Sequence, residues 1–184
     1  MKRIVILAGV LLLSVSAFAA KTSNLENTIQ SHYNNRELNV GKTQSKKVSQ
    51  TEKSISSTRA GVRDQIISFA QKKLGSPYVW GATGPNSFDC SGFVGFVFKS
   101  AANLTLPRVS SAQATFKPKI SSMNMKKGVL VFFNTTGKGI SHVGIYMGNR
   151  QFIHASSGSR RVTVSSLDSD FYSRTFRWAI NPFS

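Results

Sequence analysis

Cys90 is the only cysteine among 184 residues, and it stands where a polar turn gives way to the apolar run Phe93-Val94. That transition puts the thiol at or near a helix N-terminus. Unpaired backbone N–H groups and the helix dipole favour an anion there, so the expectation is a stabilised thiolate. A thiolate nucleophile needs a base or ion-pair partner, and that partner needs an orienting group. The chain has three histidines. His32 lies in a polar segment and is expected to be solvated, whereas His142 and His154 lie on the two arms of one hairpin pattern. A lone cysteine is more often a small core residue. A lone cysteine at a helix start, beside two histidines on one hairpin, points instead to nucleophilic catalysis.

Strand parity decides whether the two histidines act together. In an antiparallel pair, residues directly opposite each other share a face, and successive residues alternate faces. A two-residue Gly148-Asn149 loop pairs Met147 with Arg150 and turns His154 away from His142. A three-residue loop, Gly148 to Arg150, pairs Tyr146 with Phe152 and sets His154 opposite Gly144. His154 is then diagonal to His142 on the same face, with backbones roughly 7 to 8 Å apart. A Cys-His-His site therefore requires the three-residue loop or an equivalent bulge.

The elements that would position these residues follow in chain order. Val62, Ile66, Ile67, Phe69, Ala70 and Leu74 recur at helical spacing, with Gly75 as a stop. Pro77 to Pro85 is a loop dense in Gly and Pro. Cys90 to Ala102 reads as a helix that is apolar almost all round and hence buried. Gly92 and Gly95 within it suggest close packing against that side, and Trp80, Phe93 and Phe132 read as core. Val129 to Phe133 is a short apolar run that fits a buried strand. His142 to Met147 and Gln151 to Ala155 fit a hairpin, with further strands at Val162 to Ser165 and Thr175 to Ile180. Helices first and strands afterwards give an α+β class, N-terminal helices packed on an antiparallel sheet of about five or six strands. About 120 residues from Gly61 to Ser184 suit one domain.

Residues 1–19 carry the pattern of a signal peptide: Lys2 and Arg3, an apolar run from Ile4 to Val15, and the small-x-small site Ala17-Phe18-Ala19. The run is short for a membrane span, and no cysteine near the cleavage site offers a lipid anchor. The expectation is export to the periplasm or the medium with no stable membrane anchor. Residues 20–60 are polar with isolated apolar positions and read as a flexible arm. Export sharpens the cysteine argument, because a single thiol makes no intrachain disulfide. Lys and Arg number 24 against 7 Asp and Glu, a net +17, or +15 once Lys2 and Arg3 are removed. Such a charge attracts polyanions. For an exported chain these are anionic cell-wall polymers rather than nucleic acid. The basic residues are scattered, which implies general attraction without a specific site. One Cys and two His without spaced carboxylates make a poor zinc set, so neither metal nor cofactor is expected.

The ordered segments Gly75-Ser76-Pro77-Tyr78-Val79-Trp80-Gly81, Phe88-Asp89-Cys90-Ser91-Gly92-Phe93-Val94, Leu106-Pro107-Arg108, Leu130-Val131-Phe132-Phe133, His142-Val143-Gly144-Ile145-Tyr146 and Phe152-Ile153-His154-Ala155 resemble the successive motifs of the NlpC-type peptidase family. The resemblance runs from about Val62 to the C-terminus, and it makes residues 61–184 the catalytic domain. It implies a papain-like core and cleavage of peptidoglycan stem peptides, typically between γ-D-glutamate and a diamino acid. It makes Cys90 the nucleophile, His142 the base and His154 the residue orienting His142. Tyr78 would help hold the oxyanion, and Asp89 and Ser91 would line the pocket for the free amino end of the stem peptide. Ala82, Val129 and Arg150 depart from the family pattern at positions where Gly, Asp and Gly are frequent.

The resulting expectation is an exported cysteine endopeptidase acting on peptidoglycan, in wall remodelling or as a toxin against competitors. Its rivals are an amidase or acyltransferase of the same superfamily, and a non-catalytic wall-binding protein.

Overall fold

The computed structural model of the chain describes residues 30–31, 48–52 and 54–183. The expected signal peptide, His32 and much of the expected arm lie outside the described residues. The chain divides into two compact units, Met1–Ser56 and Ser57–Ser184. In the first unit, the described residues are helical. The second unit begins with helix α1, residues 57–71, which includes Gly61. No proline interrupts residues 57–71, and one glycine costs a helix only about 1 kcal/mol. Ile66, Ile67 and Ala70 face the core from α1, and a turn through Gly75, at φ +82°, closes the segment.

Helix α2 spans Cys90–Ala102. Asp89 is its N-cap and accepts the Gly92 N–H at 2.6 Å, filling one of the donors that a helix start leaves open. Asn103 ends it in the left-handed conformation. Phe93, Val94, Val97 and Phe98 are fully buried, whereas Lys99 and Ser100 are exposed. Gly92 and Gly95 differ. A Cβ at Gly92 would lie 2.2 Å from the Ala82 carbonyl oxygen, but one at Gly95 would meet nothing within 4 Å. Close packing against Gly95 is thus corrected to open space.

A short helix α3, Ser110–Gln113, leads to the sheet. Its strands are β1 (Lys119–Ile120), β2 (Leu130–Phe133), β3 (His142–Gly148), β4 (Gln151–Ser156), β5 (Arg161–Ser166) and β6 (Phe176–Ile180). Helix α4, Asp170–Thr175, precedes β6. The order across the sheet is β1-β6-β2-β3-β4-β5, and each neighbouring pair is antiparallel. The fold is therefore α+β with helices on a six-stranded antiparallel sheet.

Alternation along the strands gives the sheet two buried faces. Leu130, Phe132, Val143, Ile145, Ile153, Ala155 and Val162 join the α1 and α2 side chains in the larger core. Val131, Phe133, Tyr146 and Phe152 face the other way, against Leu167, Tyr172 and Phe176. His142 and His154 share the parity of this second face.

The β3–β4 register pairs Tyr146 with Phe152 and Ile145 with Ile153, then shifts so that Gly148 pairs with Gln151. Met147 is the extra residue of a bulge. The turn residues are Asn149 and Arg150, at φ +49° and +58°, the left-handed pair of a tight hairpin turn. The bulge delivers the register that a Cys-His-His site requires. Across from His154, Gly144 has no room for a side chain: a Cβ there would lie 2.5 Å from a Phe152 ring carbon and 3.3 Å from the His154 Cβ.

Trp80, expected in the core, is 87% exposed. The turn at Trp80-Gly81, with Gly81 at φ +79°, carries the indole outward while Phe88 fills the core beneath the loop. Phe93 and Phe132 are core as expected. Among the described residues no helix is long and apolar enough to cross a membrane.

Candidate active site

Cys90 is the first residue of α2, and its thiol lies against the start of β3. The sulfur is 4.0 Å from the Ser141 carbonyl oxygen. The backbone N–H groups of Ser91, Val143 and Cys90 itself face it and favour the thiolate. Burial opposes them most, and the Asp89 carboxylate opposes them next, so the thiol is held above its ordinary value. The helix-start expectation of a stabilised thiolate is corrected. The same Asp89 that caps the helix sets a negative charge beside the sulfur, and burial removes the water that would solvate the anion.

His142 opens β3, and its Nε2 shares a 2.7 Å hydrogen bond with Nδ1 of His154 on β4. This bond is what the bulged register makes available. It occupies Nε2 of His142 and leaves Nδ1 as the ring nitrogen free to exchange a proton. Burial lowers His142 to about 4. Burial, followed by the neighbouring His142, lowers His154 as well, and His154 has no exposed surface. Both imidazoles are neutral at physiological pH. Burial thus favours the neutral form of all three groups, the Cys90 thiol and the two imidazoles.

Tyr78 is half-buried in the Gly- and Pro-rich loop, held by its N–H to the Arg160 carbonyl. Burial, and then the charges of Cys90 and Asp89, raise its phenol, so its O–H stays available as a donor beside the thiol.

Asp89 and Ser91 are both nearly buried, and their polar atoms are engaged. Arg108 forks onto Asp89 with distances of 2.6 and 3.2 Å, and it also reaches the Ser91 hydroxyl at 3.1 Å and the Gly81 carbonyl at 2.9 Å. Gly81 N–H donates to the second Asp89 oxygen at 3.1 Å. Burial pushes the Asp89 carboxyl up. The hydrogen bonds and charge of Arg108, with help from Gly92 N–H and Ser91, outweigh that and hold it below the usual carboxylate range. Arg108 is a residue that sequence reasoning passed over although it stood in the Leu106-Pro107-Arg108 motif. The available signal was that a carboxylate capping a buried helix needs a cation.

Ser165 and Tyr172 are further residues that the sequence did not mark. His154 Nε2 lies 3.0 Å from the Ser165 hydroxyl. The Tyr172 ring stacks over His142 at 6.5 Å and meets His154 edge-on at 5.4 Å. Among the described residues no group of three or more His, Cys, Asp or Glu is arranged to hold a metal ion.

Residues 75–180 match the NlpC/P60 family. A probable endopeptidase p60 of Listeria monocytogenes is 53% identical over 90 residues, which cover 49% of this chain and 18% of that protein. A gamma-DL-glutamyl hydrolase of Bacillus subtilis is 43% identical over 109 residues, 58% of this chain and 26% of that protein. The match thus spans about a quarter or less of the length of these two relatives. Among solved structures, an NlpC/P60 family protein from Bacillus cereus superimposes with a TM-score of 0.62 at 32% identity, covering 66% of this chain and 40% of that one. The NlpC/p60 domain of the peptidoglycan hydrolase SagA gives 0.57 at 34% identity over 65% of this chain and 97% of that domain.

Proposed function

This chain belongs to the NlpC/P60 family, and from that premise we propose that it is an exported cysteine endopeptidase hydrolysing peptidoglycan stem peptides between γ-D-glutamate and a diamino acid. The observation that carries the reading is the 2.7 Å bond between His142 and His154, which leaves one ring nitrogen of a buried neutral imidazole as the base for the thiol at the start of α2. The peptidoglycan hydrolase SagA supports the substrate class, and the gamma-DL-glutamyl hydrolase supports the γ-glutamyl bond.

The chemistry follows from those roles. Cys90 Sγ attacks the amide carbonyl carbon as its proton passes to His142 Nδ1. The Cys90 backbone N–H and the Tyr78 hydroxyl donate to the oxygen that becomes negative. The C–N bond breaks, the amine takes the proton from His142, and a thioester remains on Cys90. Water then attacks the thioester as His142 Nδ1 takes its proton. The C–S bond breaks, the carboxylic acid leaves, and the proton returns to sulfur. Asp89, fixed by Arg108, presents negative charge where the free amino end of the stem peptide would lie.

The test is digestion of purified muropeptides followed by mass spectrometry. New termini at γ-D-glutamate are expected with the wild-type protein, and none with Cys90→Ala at unchanged melting temperature. Absence of new termini, or activity surviving in Cys90→Ala, defeats the reading.

A further inference from the structure

A histidine in the orienting position brings a difficulty that a carboxylate does not. His154 can carry its proton on either ring nitrogen, and only one choice lets it serve His142. For His142 Nδ1 to accept a proton, the neutral His142 ring must carry its own proton on Nε2. That N–H has to be received by His154 Nδ1, so His154 must be unprotonated there and protonated on Nε2. The opposite tautomer donates from His154 Nδ1 into His142 Nε2, which moves the His142 proton onto Nδ1 and removes the base. Something must therefore accept a hydrogen bond from His154 Nε2.

Ser165 on β5 stands in that place, its hydroxyl 3.0 Å from His154 Nε2. A serine hydroxyl can donate as well as accept. The Nε2–H tautomer needs Ser165 to accept, with its own proton turned away from the ring.

We propose that Ser165 is a positioning residue that fixes His154 as the Nε2–H tautomer. The chain of donation runs from His142 Nε2–H to His154 Nδ1 and from His154 Nε2–H to Ser165 Oγ. The proposal rests on the reading of His142 as base, and one arm of its test does not need substrate.

The first arm is nitrogen–proton correlation spectroscopy of the histidine rings in the full chain. The wild type should show His154 protonated on Nε2 alone, and Ser165→Ala should show a second tautomer. The other arm is steady-state kinetics on a stem peptide. Ser165→Ala should lower kcat about tenfold with KM within about twofold, the size expected when an orienting partner is lost. Ser165→Thr retains the hydroxyl on a strand that tolerates branching, and should recover most of that loss. A His154 protonated on Nδ1 in the wild type overturns the proposal. So do a Ser165→Ala kcat within about twofold of wild type, a loss confined to KM, and a Ser165→Thr as slow as Ser165→Ala. Failure of the endopeptidase reading appears separately, as cleavage surviving in Cys90→Ala, while the ring spectra still decide the tautomer.

Discussion

His142 carries a stability cost that depends on pH. It is buried and neutral, and its proton affinity is lowered from an ordinary 6.5 to about 4. Between those values the unfolded chain binds a proton that the folded chain refuses. The contribution to stability is fully present above pH 6.5 and is lost as pH falls through about 4. The displacement corresponds to about 3 kcal/mol. Urea unfolding of the wild type should therefore weaken from pH 7 to pH 4, and His142→Gln, which keeps the buried neutral His154, should lose less over the same interval. Equal losses in the two proteins would mean that the histidine is not the titrating group. The thiol behaves in the opposite sense. Burial and Asp89 hold it above its ordinary value, so alkylation of Cys90 by iodoacetamide should accelerate as pH rises past the normal thiol range. A rate already at its plateau at pH 6 would contradict this and would indicate a preformed ion pair.

Helix α2 and the β3–β4 hairpin are the two elements that carry Cys90, His142 and His154, and their glycines mark different demands. At Gly92 a side chain would enter the Ala82 carbonyl, and the same position supplies the N–H that Asp89 caps. Gly92→Ala should cost about 1 to 3 kcal/mol through overpacking, and should displace Cys90 two residues earlier. Gly95 faces open space in the same helix, so Gly95→Ala should stabilise by about 0.5 to 1 kcal/mol through helix propensity. Thermal melts of the pair separate the two causes, and a destabilising Gly95→Ala would refute the assignment. Much of this frame was legible in the residues. The apolar run after Cys90 located α2, and strand parity stated in advance the register that joins His142 to His154. The bulge at Met147 was legible only as a requirement, because nothing in Tyr146-Met147-Gly148 announces where an extra residue sits. Trp80 misled because a tryptophan among turn residues has no period to say which way it points. Tyr172 was invisible for a related reason: α4 is six residues long, too short to show a face, and its ring meets the histidines only after β5 has returned the chain. Gly95 could not be told from Gly92 because close approach is a property of the neighbour.

At the scale of the whole molecule the dominant fact is charge. Lys and Arg exceed Asp and Glu by 17, and three of the few acids are already committed to ion pairs, Asp89 with Arg108, Asp64 with Lys127 and Asp168 with Arg150. The remaining field is positive and scattered. On the proposed wall-acting role, such a field would raise the local concentration of the protein near anionic wall polymers without selecting any one bond. The chemistry proposed for the Cys90 site instead depends on short hydrogen bonds among buried groups, which salt screens poorly. The two functions should therefore separate with ionic strength. Binding to cell walls that retain their anionic polymers, measured by co-sedimentation of Cys90→Ala, should fall steeply between about 0.1 and 1 M NaCl, where the screening length contracts from about 10 to 3 Å. The kcat on a short soluble stem peptide should change by no more than about twofold over that range. Walls stripped of anionic polymers should bind weakly even at low salt. Retention that ignores salt, or equal binding to stripped walls, would mean that a specific contact rather than the overall charge holds the protein to its substrate.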